Sequence, residues 1–151
     1  MKTAFVITIS VILGVGILLT AIKLIFSYIR KRLETYIQTN FDKDKIIGAT
    51  TNANFFGKKS KGGKQIRGNG AFVLTKDEIS FIRALPFKEY MIPVKSITEV
   101  SLPNAFNGKS VFSKLLCIQY ETSSGSDTMA WAIKTPESWK ETIEKLVTAD
   151  S

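Results

Sequence analysis

Histidine is absent from this 151-residue chain, and cysteine occurs once, at position 117. Without histidine there is no Ser-His pair, no Cys-His pair and no imidazole metal ligand. A lone cysteine excludes an internal disulfide and suits a reducing compartment. Cys117 lies in the run Lys114-Leu115-Leu116-Cys117-Ile118-Gln119-Tyr120, which reads as a strand, so it is expected to be a buried small hydrophobe rather than a reactive thiol. The stretch from Gly57 to Gly70 is glycine-rich but matches neither the phosphate loop nor the dinucleotide fingerprint, and no helix follows it. The carboxylates are scattered, and Asp77-Glu78 suits a polar turn better than an acid-base pair. No enzymatic activity, cofactor or metal is therefore expected. Internal repeats and long low-complexity segments are also missing.

Acidic residues are lacking before Glu34. The net charge of +8 is instead concentrated in two clusters, Arg30-Lys31-Arg32 and Lys58, Lys59, Lys61, Lys64 and Arg67; the remainder is balanced. Basicity is local to two sites.

What is abundant is apolar sequence at the start. Ala4 to Ile22 carries no charge, and as a helix it is about 28 Å long, close to the ~30 Å hydrocarbon core of a bilayer. Thr8, Ser10 and Thr20 can return their hydroxyls to helix carbonyls. Lys23 stands where the core should end and can snorkel to the headgroups. The exit Leu19-Thr20-Ala21-Ile22-Lys23 has no small-x-small cleavage site, so a retained anchor is expected over a cleaved signal. Lys2 flanks one side and Lys23, Arg30, Lys31 and Arg32 the other, which predicts a single-pass protein of the cell membrane with its C-terminal domain in the cytoplasm.

The expected division is a transmembrane anchor over 1–29, a basic juxtamembrane helix or linker over 30–44, and one domain over 45–151. Tyr28, Leu33, Tyr36 and Ile37 recur near helical spacing, which suits either an interfacial helix on anionic lipid or a plain stop-transfer flank. Beyond Lys45 the period shortens. Lys45 to Phe56 could be a strand, and Gly57 to Gly63 reads as a mobile loop. Gln65 to Leu74 alternates, with Gly68 and Gly70 on the apolar side where a backbone or ring could approach closely. Thr75 to Glu78 is a turn into a strand over Ile79 to Arg83. Further strands are expected over Glu89 to Ile92, Ile97 to Leu102, Val111 to Glu121 and Thr128 to Lys134, with a loop over Asn104 to Ser110. Met129, Trp131 and Ile133 should face inward. Thr135 is a candidate N-cap, Pro136 suits the first helical position, and Trp139, Ile143, Leu146 and Val147 form one apolar stripe, with Lys140, Glu141, Glu144 and Lys145 in water. The fold class is mainly β with α: about seven antiparallel strands curled into a half-barrel and capped by a C-terminal amphipathic helix.

The segment Gly68-Asn69-Gly70-Ala71-Phe72-Val73-Leu74-Thr75, followed by Asp77-Glu78-Ile79-Ser80-Phe81, resembles a strand pair of the pleckstrin-homology (PH) superfold and its GRAM-like branch. Ile92-Pro93-Val94, Ile97-Thr98-Glu99-Val100, Trp131 to Lys134 and the Trp139 helix resemble the segments that follow. Asn52 to Gly57 and Gln65 to Gly70 are similar to a group of uncharacterised bacterial membrane-anchored proteins. The likeness spans roughly Ile46 to Val147. It implies a domain that binds phosphoinositide headgroups, peptides or proteins. Lipid-binding members carry Lys, a gap, then Lys or Arg two positions before an Arg in the first strand-loop-strand. Lys58, Lys59 and Lys64 precede Arg67 here, but Gln65 occupies the position two before it.

The chain is thus expected to be a membrane-tethered adaptor that engages a protein partner and anionic headgroups through Lys58, Lys59, Lys61, Lys64 and Arg67, with Arg30, Lys31 and Arg32 at the juxtamembrane side. A solvated hairpin tip is the competing account of the loop. An assembly subunit associating through Gly14, Gly16 and Thr20 of the anchor is the alternative function. Phe72, Phe81 and Trp131 read as inward, so nucleic acid has no stacking platform. Phe87, Tyr90, Phe106 and Phe112 are the candidate exposed rings.

Overall fold

The computed structural model describes residues 2–149. Helix α1 (Lys2–Asn40) runs unbroken for 39 residues. It is the one described helix long and apolar enough to cross a membrane, with a mean hydropathy of 2.5 over its most apolar window and no buried residue in that window. Ser10 and Thr20 return their hydroxyls to the carbonyls of Val6 and Gly16, so neither leaves an open donor in the apolar stretch.

Nine strands follow: β1 (Ile46–Lys58), β2 (Gly68–Thr75), β3 (Glu78–Arg83), β4 (Lys88–Pro93), β5 (Ile97–Ser101), β6 (Ala105–Phe106), β7 (Lys109–Ser110), β8 (Leu116–Thr122) and β9 (Gly125–Ala132), closed by helix α2 (Pro136–Ala149). Seven form one antiparallel sheet in the order β4-β3-β2-β1-β9-β8-β5, and β6 pairs with β7 apart from it. Strand β1 joins the two halves. Its residues up to Phe55 pair with β2, those from Asn54 onward pair with β9, and register shifts interrupt both ladders. Such bulges bend a strand and increase its twist, which lets one sheet curl around its own core.

The concave face holds that core. Phe72, Leu74, Phe81, Leu116, Ile118 and Trp131 are fully buried there, and Trp139, Ile143, Leu146 and Val147 of α2 pack onto it. Trp131 lies 5.2 Å from Phe72 and 6.0 Å from both Phe55 and Phe81, ring centre to ring centre. Gly70 admits this packing: a Cβ there would collide with the Ile82 carbonyl oxygen and lie 2.7 Å from the Phe81 ring. Gly68, by contrast, abuts the Arg83 side chain rather than a core ring.

The convex face is covered twice. Leu33 and Ile37 of α1 are buried against Ala71, Val73 and Ile82. The segment carrying β6 and β7 lays Phe106 and Val111 over Phe56, Leu115, Cys117 and Ala130. Two-sided burial explains why Ala71 to Leu74 and Leu115 to Ile118 read as continuous apolar runs.

Several boundaries differ from the sequence expectation. Strand β2 starts at Gly68 rather than Gln65, because the Gln65 side chain is bonded to the end of β1. The expected loop over Asn104 to Ser110 contains the β6-β7 hairpin, turned by Asn107 and Gly108 at φ 50° and 73°. Strand β8 starts at Leu116 because Val111 to Leu115 crosses the convex face. Thr135 begins α2 with its carbonyl, which accepts the Ser138 and Trp139 amides at 3.1 and 3.3 Å, while its hydroxyl bonds to Lys134. Lys140, expected in water, is half-buried and donates to the Val100 carbonyl at 2.6 Å.

Candidate functional site: the open end of the sheet

Three features meet at one end of the domain. Along α1, Ile25 to Leu33 border Ala84 and Leu85, whereas Asn40 and Phe41 lie beside Thr75 and Asp77, so α1 advances in the direction in which β2 advances toward Thr75. The apolar part of α1 therefore projects from the end where β2 begins, which is the end of the β1-β2 loop. The β3-β4 turn lies there too, since a Cβ on Gly68 would be 3.7 Å from the Leu85 carbonyl oxygen.

The β1-β2 loop, expected to be mobile, is held by side chains. Gln65 Nε2 donates to the carbonyls of Lys58 and Gly62 at 2.6 Å each, and its Oε1 accepts the Lys58 amide at 2.9 Å. Asn107 Nδ2 donates to the same two carbonyls at 3.2 and 3.3 Å, and Lys109 Nζ donates to the Gln65 carbonyl at 3.0 Å. The residue that breaks the basic pattern is thus the one that shapes the loop.

The five basic residues of this stretch divide by environment. Lys58 ends β1 and points inward, with Nζ 3.1 Å from Asp127 Oδ2 and 5.7 Å from the Tyr120 ring centre. Asp127 also accepts the Ser60 and Thr128 amides at 3.0 and 2.8 Å. Burial opposes its charge, but the bonds from Ser60, Thr128 and Lys58 outweigh that cost and hold its carboxyl below the ordinary carboxylate value. Burial also works against the Lys58 charge; the neighbouring Asp127 carboxylate and Tyr120 side chain outweigh it, and its ammonium titrates above the ordinary lysine value. Arg67 lies over the buried Phe56 ring, 3.9 Å from its centre, with its exposed side facing water. Lys59, Lys61 and Lys64 are exposed, and among the described residues no carboxylate pairs with them.

Arg30, Lys31 and Arg32 are exposed on α1 around the buried Leu33. Neither sequence reading of this segment included the packing found here: its apolar side faces the sheet. Tyr36 continues the contact, with its hydroxyl donating to Glu89 at 3.1 Å and its ring set edge-on to Phe87 at 5.4 Å. Between α1 and the β3-β4 turn lies an apolar cleft of about 810 Å³, lined by Ile25, Tyr28, Arg32, Leu33, Leu85 and Phe87 among others. The sequence signal for it is the apolar pair Leu85 and Phe87 around Pro86.

Of the four candidate exposed rings, Phe87 and Phe112 are exposed. Tyr90 instead lies tilted against Phe55 at 4.8 Å, and Phe106 packs on the convex face. Cys117 is buried, and burial pushes its thiol up to about 12, which leaves it protonated and inert at neutral pH.

No family model matches this chain, and no curated protein does. Among solved structures, the Vps36 N-terminal PH domain is similar over 70% of this chain and 80% of its own length, at 15% identity and a TM-score of 0.51. That similarity concerns the fold alone: the sheet and its closing helix have the PH-like architecture.

Proposed function

We propose that this protein is a single-pass, membrane-tethered binding domain that meets the anionic cytoplasmic leaflet with its basic loop and thereby orients itself for a protein partner. The observation that carries this reading is the seating of Leu33 and Ile37 on β2 and β3. From Leu33 back to Lys23 the helix covers ~15 Å. From Ala71 back to Gly68 strand β2 covers ~10 Å in the same direction, and the loop extends beyond. That shared direction supports a position of Lys59, Lys61 and Lys64 on the side of the domain from which the apolar part of α1 projects.

At about 1 kcal/mol per basic residue near an anionic surface, these lysines with Arg67 supply a few kcal/mol. Such a contact is weak in solution and sufficient when a short rigid connection raises the effective concentration. Lys58 supports the loop from inside. Gln65 stands where lipid-binding PH domains carry a base, so the contact reads surface charge rather than a particular inositol phosphate. The excess of Lys and Arg after the apolar stretch supports a cytoplasmic side for the domain.

The test is amine labelling of the full chain in nanodiscs of phosphatidylcholine alone or with phosphatidylglycerol. Lys59, Lys61 and Lys64 should be labelled more slowly in the anionic discs, and physiological salt should reduce that protection. Equal labelling in both discs at low salt would remove the lipid contact and leave the loop a solvated tip.

A further inference from the structure

The geometry points to the cleft between α1 and the β3-β4 turn as a binding site for one anionic phospholipid, with acyl chains along the apolar wall and the phosphate at Lys31 and Arg32. The inference rests on the membrane-tethered reading above, and concerns a site separate from the basic loop.

Three observations commit the cleft to a lipid. First, its wall continues the exposed apolar surface of α1: Ile25 is 58% and Tyr28 69% exposed, and both line the cleft. An acyl chain lying on the helix reaches the cleft without crossing a polar barrier. Second, the opposite wall is apolar and equally open, with Leu85 63% and Phe87 53% exposed. An exposed Leu and Phe facing an exposed helix stripe form a patch that water covers poorly. Third, Lys31 and Arg32 also line the cleft, and among the described residues neither has an ion-pair partner. An arginine fork with a neighbouring ammonium is the donor set a phosphodiester takes. The turn is held in place, because Arg83 Nε donates to the Pro86 carbonyl at 3.1 Å and Phe87 leans on Tyr36. A second copy of the chain or an apolar peptide would fill the same apolar volume but leave the two cations without an anion.

The experiment uses the full chain extracted in dodecylmaltoside, with phosphatidylglycerol or phosphatidylcholine added, and reads bound lipid by native mass spectrometry. One phosphatidylglycerol should be retained, preferred over phosphatidylcholine by about thirtyfold if each cation contributes roughly 1 kcal/mol. Lys31→Ala with Arg32→Ala should bring the preference near unity. Arg32→Lys should keep most of it. Leu85→Trp, which fills the mouth and leaves both cations, should abolish retention. Lys76→Glu with Lys95→Glu should leave the adduct unchanged, since those exposed residues lie outside both the cleft and the basic loop. Circular dichroism checks that each variant is folded. Alkaline extraction of membranes separates the two readings. A chain released by alkali overturns the tether itself. An integral chain that retains no lipid, retains both lipids equally, or appears as a lipid-free dimer overturns the cleft site alone.

Discussion

Gln65 holds Lys58 by both main-chain groups, accepting its amide at 2.9 Å and donating to its carbonyl at 2.6 Å. The side chain acts as one more rung beyond the end of β1, and its third bond, to the Gly62 carbonyl, closes the turn that carries Lys59 and Lys61. A glycine-rich loop is ordered here without a regular ladder.

Gln65→Ala removes the side-chain acceptor of the half-buried Lys58 amide and one of two donors to its carbonyl, and should destabilise the domain by about 1–3 kcal/mol. Gln65→Lys, which restores the basic pattern of lipid-binding PH domains, should cost a similar amount because an ammonium donates but does not accept. Urea unfolding measures the loss, and faster hydrogen exchange at the Lys58 amide would assign it to the clasp. Unchanged exchange would mean that Asn107 holds the loop alone.

Charge reversal should separate Lys58 from its neighbours. Lys58→Glu sets a second carboxylate beside Asp127 and should cost roughly 2 kcal/mol, reduced from the value for a fully buried pair because the Lys58 side chain is 25% exposed. Lys59→Glu, Lys61→Glu and Lys64→Glu should each change stability by less than about 0.5 kcal/mol. Thermal unfolding of the four variants decides the matter, and equal losses would contradict the division.

Acid should loosen the same cluster. The carboxyl of Asp127 titrates in the folded protein below its ordinary value of 3.8. Between those two values the unfolded chain binds more protons than the folded one, so stability falls as pH falls. The contribution of Asp127 is fully present above 3.8 and disappears as pH drops through the folded value. Asp127→Asn should flatten the stability profile in that window and lower stability at neutral pH. A profile of unchanged slope would show that other carboxylates govern acid unfolding.

Leu33 and Ile37 should behave as core residues of the sheet. Leu33→Ala and Ile37→Ala are each expected to cost about 2–4 kcal/mol. A fragment starting at Asp42 would uncover Ala71, Val73 and Ile82 and should aggregate, whereas one starting at Phe26 should be monomeric and folded. Sedimentation of the two fragments is the check; equal solubility and stability would show that α1 adds little to the domain.

Much of the architecture was legible beforehand because it depends on local period and composition. The charge-free run to Ile22 needs only its length to read as a span, and Trp139, Ile143, Leu146 and Val147 need only helical spacing to point at a core. The inward set Phe72, Phe81 and Trp131 follows from alternation. Sites proved harder. Lys58 looked like Lys59 in sequence, and the difference between them is made by Asp127, which β9 brings across from a distant part of the chain.

The sequence alone determined that the chain has one long apolar helix, a run of short strands, a closing amphipathic helix and two basic clusters, because each follows from residues near one another in the chain. Only the tertiary structure decided which basic residues remain free, that the β1-β2 loop is clasped, and that the juxtamembrane helix covers the sheet and borders a cleft. Those outcomes depend on contacts such as Leu33 with the Ala71, Val73 and Ile82 cluster, Tyr36 with Glu89 and Lys58 with Asp127. Their partners lie far apart in the chain, and strand pairing and burial bring them together where no local pattern specifies the match.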